Sequence, residues 1–331
     1  MSSSDLKNNI EKVNNLDNAL RPETWDEYIG QKRIKDNLFI LLKAAIKRKQ
    51  SPEHLLFYGP PGLGKTSISF LIAKELGSQI RVSSGPAIEK VGDLASILSN
   101  LQDGDILFID EIHRLNKNIE EVLYPAMESG VLDIVVGKGP SARVVQLSLS
   151  QFTLIAATTQ VSRVSAPLRS RFSGGVHRLE YYSNEEIARI LQNSAQKLGL
   201  ESIEDSVFME IAKRSRKTPR RANYLLKRVR DFAEVHNRKI DKTVLEEVFS
   251  LLNIDEHGLD SSDLELLKTI EFKYSGGPVG LKTLAASLSE EESTLEEVLE
   301  PYLLQEGFIE RTARGRQTTK KAKRLLESNL D

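Results

Sequence analysis

Short apolar runs alternate with helically spaced segments along the first half of the chain. Leu55-Leu56-Phe57-Tyr58 stops at glycine and proline, as a buried parallel strand does. Ile106-Leu107-Phe108-Ile109 is a second such run, and 152–157 (Phe-Thr-Leu-Ile-Ala-Ala) a third. Between the first two, Ser67 to Leu76 places Ile68, Leu71, Ile72 and Leu76 on one helix side. This alternation predicts a doubly wound α/β domain over about 20–182. Two β-rich stretches around Gly137-Lys-Gly-Pro140 interrupt it and predict a β-hairpin over 131–149.

From 183 to 253 the pattern is helical. Ser183-Asn-Glu-Glu reads as a capping box, with Ile187, Ile190 and Leu191 behind it. The remaining 254–331 predicts helices near Ser262–Lys273, Leu281–Leu288 and Thr294–Gln305, the last capped by Ser293 and Glu296. Two strands, Phe308–Thr312 and Arg316–Thr319, then flank a turn at Arg314-Gly315. Three helices and a two-stranded wing form the winged-helix pattern. Residues 1–19 form a polar tail.

Composition narrows the classes. The 331 residues are 40% hydrophobic and 28% charged, which excludes disorder as the general state. No cysteine is present, so disulfides, thiolate zinc sites and cysteine nucleophiles are excluded. The N-terminus lacks the apolar core of a signal peptide, and no run approaches the roughly 18 apolar residues of a membrane span. The expected location is cytoplasmic. A net charge of −1 hides strong local asymmetry. Lys213 to Arg230 holds nine basic residues and no acidic one, and Arg311 to Arg324 seven more, whereas Glu290 to Glu300 carries six glutamates. Such blocks are an electrostatic footprint of nucleic-acid binding or of subunit surfaces.

Chemistry concentrates at strand ends. Gly59-Pro-Pro-Gly-Leu-Gly-Lys65-Thr66 satisfies the Walker A pattern between a strand and a helix. Its backbone N–H groups would face phosphates, Lys65 would reach the β- and γ-phosphates of ATP, and the Thr66 hydroxyl would ligate Mg²⁺. Asp110-Glu111 closes the second strand, Asp110 for the magnesium shell and Glu111 to orient and deprotonate the attacking water. Beside them, His113 has no matching ligand set and reads as structural or signalling. Thr158-Thr159 ends the third strand, where a hydroxyl could sense the γ-phosphate. Arg169 and Arg171, in Ala-Pro-Leu-Arg-Ser-Arg-Phe, are candidates for a finger acting on a neighbouring subunit's nucleotide, and Arg220 for a phosphate contact from the helical part. In the wing, Arg311, Arg314 and Arg316 have no aromatic residue among them, which favours phosphate contact over base readout.

Taken together, these segments resemble the RuvB family of AAA+ ATPases. Leu20-Arg-Pro, Asp26-Glu-Tyr-Ile-Gly-Gln31, Ser84-Gly-Pro-Ala-Ile-Glu-Lys90, Phe108-Ile-Asp-Glu-Ile-His-Arg-Leu115, Leu132-Asp-Ile-Val-Val-Gly-Lys-Gly-Pro-Ser-Ala-Arg143 and Glu300-Pro-Tyr-Leu-Leu-Gln305 follow the family in order and spacing. The resemblance covers nearly everything from Leu20 to Thr319. It implies a P-loop ATPase domain with a helical lid and a C-terminal winged helix, in homo-hexamers that draw duplex DNA through four-way Holliday junctions. It also implies RuvA as partner at the 131–149 hairpin, RuvC in the resolving complex, and ATP with Mg²⁺. By matching position, Leu20, Arg21 and Tyr181 would line the base pocket. Gly62, Lys65, Thr66 and Ser67 would hold phosphates and Mg²⁺, Arg171 would be the finger and Arg220 the second sensor. Arg311 and Arg316 would contact DNA, and Thr159 matches the first sensor better than Thr158. Two departures stand out: Lys217 where the family usually has glycine before Thr-Pro-Arg, and Ala313 in place of a wing proline. The alternatives are a clamp-loader or initiator-type AAA+ switch, and a nucleotide-gated winged-helix regulator. The acidic third helix argues against the regulator, because a sequence-reading helix carries cations.

Overall fold

A computed structural model describes residues 18–136, 143–200 and 202–328. Most of the predicted tail and the Gly137–Pro140 turn therefore lie outside the described residues. The chain divides into two compact units, Met1–Tyr182 and Ser183–Asp331.

In the first unit, five parallel strands form a sheet of order β2-β3-β6-β1-β7. They are β1 (Leu55–Tyr58), β2 (Ile80–Ser84), β3 (Ile106–Asp110), β6 (Thr153–Thr158) and β7 (Val176–Arg178). The three predicted runs are the three central strands, buried along almost their whole length because helices cover both faces. β2 was not expected. It is an edge strand with Val82 more than half exposed, so no apolar run marks it. Helices α1 (Lys32–Arg48), α2 (Lys65–Leu76), α3 (Val91–Ser99), α4 (Lys117–Ser129) and the short α5 (Ala166–Ser170) complete the layers. Leu56, Leu107, Ile109, Leu154 and Ala156 share one core with Leu94, Leu98, Ile119 and Leu123.

The hairpin forms as predicted: β4 (Val131–Val136) pairs antiparallel with β5 (Arg143–Ser148), in register from Val131↔Ser148 to Val136↔Arg143. It is not apolar surface throughout. Leu132 at its foot is fully buried in the core, while Val145 and Leu147 on β5 are exposed.

The second unit holds both the expected lid and winged-helix segments. Helices α6 (Asn184–Lys197), α7 (Asp205–Lys213), α8 (Pro219–His236) and α9 (Lys242–Leu251) come first. Ser183 and Glu186 form the predicted capping box. Next are α10 (Ser261–Lys268), extended by a π-helical turn to Lys273, and α11 (Leu281–Leu288). The third segment is helical over 292–305, with a π turn at Leu295–Leu299 leading into α12 (Glu300–Gln305). Pro301 explains the slipped ladder, since it has no N–H to continue the α pattern. The expected Ser293 cap does not form. The helix starts at Glu292 behind Glu291, and the Ser293 hydroxyl donates to Glu291 Oε2 at 3.2 Å. Acidic residues at a helix start suit its dipole, which draws the start forward. The wing strands β8 (Ile309–Thr312) and β9 (Gly315–Thr318) precede α13 (Lys320–Ser328). Leu266, Ile270, Leu284, Leu295, Leu303 and Phe308 form the core beneath them.

Candidate functional site

β1, β3 and β6 run parallel and adjacent, so the three predicted motifs emerge along one edge of the sheet. After β1 the chain takes left-handed turns at Gly62 (φ 80°) and Gly64 (φ 94°), which L side chains resist. α2 then begins at Lys65 with no side-chain cap and no acidic residue in its first turn. Its uncapped N–H groups form a positive pole suited to phosphate. Lys65 is buried, and its Nζ donates to the Gly59 and Pro60 carbonyls at 2.8 Å each. Thr66 and Ser67 follow, half-buried. Two tyrosines that sequence reasoning missed brace this loop. Tyr28 donates to Gly64 O at 3.4 Å and Tyr182 to Leu63 O at 3.0 Å. Burial, with Tyr182 beside it, holds the Tyr28 phenol well above its ordinary range. Tyr28 therefore remains a neutral donor.

At the end of β3, Asp110 Oδ1 accepts from the Glu111 N–H at 2.9 Å. Glu111 itself adopts a left-handed backbone, φ 50° and ψ 43°, unusual for a residue with a side chain. Its carbonyl turns onto Gly85, where a Cβ would lie 2.3 Å away, so only glycine fits there. Arg114 Nη1 reaches Glu111 Oε2 at 3.2 Å. Hard oxygen donors, the Thr66 hydroxyl and the Asp110 carboxylate, are the donor types Mg²⁺ takes.

At the end of β6 the two threonines differ. Thr158 is fully buried, lies 2.9 Å from His113 Nδ1, and accepts from Gln160 N at 2.9 Å. Thr159 is half-buried beyond it. His113 is therefore a buried hydrogen-bonding partner, and among the described residues no cluster of metal-binding type occurs.

Arg171 caps α5. Its guanidinium stacks 4.4 Å over Tyr124, pairs through Nε with Glu128 at 3.1 Å and donates to Pro167 O at 2.7 Å. Tyr124 is itself held by Ser165 at 3.0 Å. Arg169 donates to Val161 O at 3.3 Å. Of the proposed base pocket, Leu20 is buried, Arg21 stacks 5.2 Å from the Phe70 ring centre, and Tyr181 is half-buried. Gln31 fastens the approach to Tyr181, donating to Glu180 O at 2.7 Å and accepting from Glu180 N at 3.2 Å. Arg220 belongs to the second unit, exposed in the first turn of α8.

The chain is similar to known proteins along most of its length. The P-loop domain model of the Holliday junction DNA helicase RuvB matches residues 20–179, the RuvB AAA lid model 182–255, and the RuvB C-terminal winged-helix model 256–327. The chain belongs to the RuvB family. Against the RuvB branch migration complex subunit of Dehalococcoides mccartyi it is 56% identical over 308 residues, covering 93% of this chain and 88% of that protein. Against its Fusobacterium nucleatum counterpart it is 50% identical, covering 97% and 96%. The solved structure of the Thermotoga maritima RuvB Holliday junction branch migration motor superposes with a TM-score of 0.85 at 47% identity, covering 93% of this chain and 98% of that one. The FIGL-1 AAA domain with ADP, at 18% identity and TM-score 0.53, shares the fold alone.

The wing of this RuvB-family chain departs from its simple electrostatic reading. Arg311 and Arg316 stand directly opposite across β8 and β9, where like charges repel. Glu300, fully buried, lies against both. Its Oε2 accepts from Arg311 Nε at 2.9 Å and its Oε1 from Arg316 Nε at 2.6 Å. Glu296 adds ion pairs at 3.4 and 3.5 Å. The acidic helix thus neutralises two wing arginines. Arg316 is largely buried by this, whereas Arg314 at the turn is exposed.

Proposed function

We propose that this chain is an ATP-driven motor that draws duplex DNA through four-way junctions in recombination and repair, acting as a cytoplasmic homo-hexamer with RuvA and RuvC. One observation carries the reading: the Walker loop, Asp110-Glu111 and Thr158-Thr159 leave adjacent parallel strands on one edge, as ATP hydrolysis requires. In this reading Lys65 and the loop amides bind the phosphates, while Leu20, Arg21 and Tyr181 hold the base. Thr66 and Asp110 would hold Mg²⁺, which supplies charge neutralisation on the phosphates when bound. Glu111 takes the proton of the attacking water and Thr159 orients it. Arg171 supplies transition-state charge to the neighbouring subunit's site, and Arg220 reports the nucleotide from the lid.

The exposed Val145 and Leu147 support the hairpin as the RuvA-docking element. The RuvB family names of the relatives support the junction substrate and both partners. No helix among the described residues is long and apolar enough to cross a membrane. The test is ATP turnover by the purified chain with and without duplex DNA and RuvA. Turnover that requires Lys65 and Glu111 and rises with DNA supports the motor. Turnover indifferent to both substitutions would remove it.

A further inference from the structure

Two consecutive residues with side chains, Arg216 (φ 53°) and Lys217 (φ 55°), adopt the left-handed backbone that L-residues disfavour. They lie four and three residues before Arg220, in the loop between α7 and α8. Such a conformation persists only where surroundings over-determine it, and here they do. Arg216 Nε donates to Gly258 O at 3.0 Å, and its Nη2 bonds Asp260 at 2.6 Å and the fully buried Asp263. Its guanidinium also lies over the Tyr302 ring, 5.6 Å from the centre. Lys217 Nζ pairs with Glu306 Oε1 at 2.6 Å. From the other side, Gly258 packs so closely on the Arg214 carbonyl that a Cβ there would lie 2.7 Å from it. Arg214 is fixed to the lid, stacked 4.2 Å over Phe249 and paired with Glu246 at 3.1 Å.

The loop is therefore clamped to both parts of the second unit. Its winged-helix contacts, Tyr302 and Glu306, follow Glu300 on the same segment, and Glu300 holds Arg311 and Arg316. We propose that the Arg216-Lys217 step is the joint that carries the nucleotide state read at Arg220 to the wing, with Lys217 as its latch on Glu306. The proposal rests on reading Arg220 as a nucleotide contact and the wing as the DNA-holding element. Lys217 is a positioning residue, acting through Arg220 on one side and Glu300 on the other. Its lysine also offsets an unfavourable backbone that a glycine would adopt freely.

The experiment measures duplex DNA affinity of the full chain with and without a non-hydrolysable ATP analogue. Lys217→Met, Glu306→Gln and the double variant should each reduce the analogue-dependent change in affinity by about threefold, equally and without additivity. Lys217→Arg should restore it. Lys217→Gly, whose backbone suits φ 55°, should fold at least as well and show the same loss. Wild-type nucleotide dependence retained in both Lys217→Met and Glu306→Gln would overturn the latch while leaving the functional reading intact. Absence of any nucleotide dependence in the wild type, together with an inert Arg220→Ala, would overturn that reading and the joint with it.

Discussion

Thr158 Oγ1 lies 2.9 Å from His113 Nδ1, joining the end of one central strand to the turn after Asp110-Glu111. Its hydroxyl is engaged there and by Gln160 N, so the proposed reading gives Thr158 to the frame and Thr159 to the phosphate. Thr158→Val should cost about 1–3 kcal/mol of stability, because a buried partner loses its bond. Thr159→Val should leave stability unchanged and slow ATP turnover by about a hundredfold, the scale of one lost polar contact to the transition state. Thermal melts and steady-state ATPase on both variants separate the two roles. The opposite pattern would reverse the assignment.

If Arg171 acts on the neighbouring subunit, rings mixing Arg171→Ala with Lys65→Ala subunits should regain hydrolysis at interfaces that pair an intact site with an intact finger. Each variant alone should be reduced by about a thousandfold or more. A mixing curve that shows dilution only would place Arg171 in its own subunit's site.

In the wing, the proposed DNA contact of Arg314 and the scaffold role of Arg316 can be told apart. Arg314→Ala should lower the slope of log affinity against log salt by about one unit, equally on unrelated duplexes, with no change in melting temperature. Arg316→Ala should weaken binding too, but should also destabilise the wing by about 3 kcal/mol, since buried Glu300 loses a partner. Equal melting temperatures for wild type and Arg316→Ala would contradict the Glu300 scaffold.

His54 gives the ATPase domain a pH dependence. Its Nδ1 accepts from Leu154 N at 2.9 Å, so Nε2 carries the proton toward Met127 O at 3.0 Å and the ring is neutral. Burial holds His54 below its ordinary value, and His177 likewise. A folded value below the unfolded one, about 6.5, means stability is fully present above that pH and lost as pH falls below it. Melting temperature should therefore drop between about pH 6.5 and 5, and His54→Gln should shallow the slope. A melting temperature that rises on acidification would contradict this.

Much of this architecture was legible in the chain because the central strands are buried on both faces and write themselves as apolar runs. The Ile80–Ser84 edge strand does not, since two of its five residues are exposed and none is buried. The phosphate loop was legible from local spacing. Its braces were not, because Tyr28 and Tyr182 come from positions 36 and 119 residues away from the carbonyls they bind. Charge read along the chain made the acidic Thr294–Gln305 helix an argument against sequence-reading DNA binding. Folding sets Glu300 between Arg311 and Arg316, a partnership no local window contains. The left-handed backbones of Glu111 and Lys217 were equally hidden, since neither residue type signals them.

Branch migration of a synthetic four-way junction with labelled arms decides whether this chain is an ATP-driven junction motor. Arms should separate with the wild-type chain, RuvA and ATP, but not without ATP, and not with Glu111→Gln, which should still bind nucleotide and junction. Arm separation by Glu111→Gln at the wild-type rate, or none by the wild type with RuvA and ATP present, would contradict the motor reading.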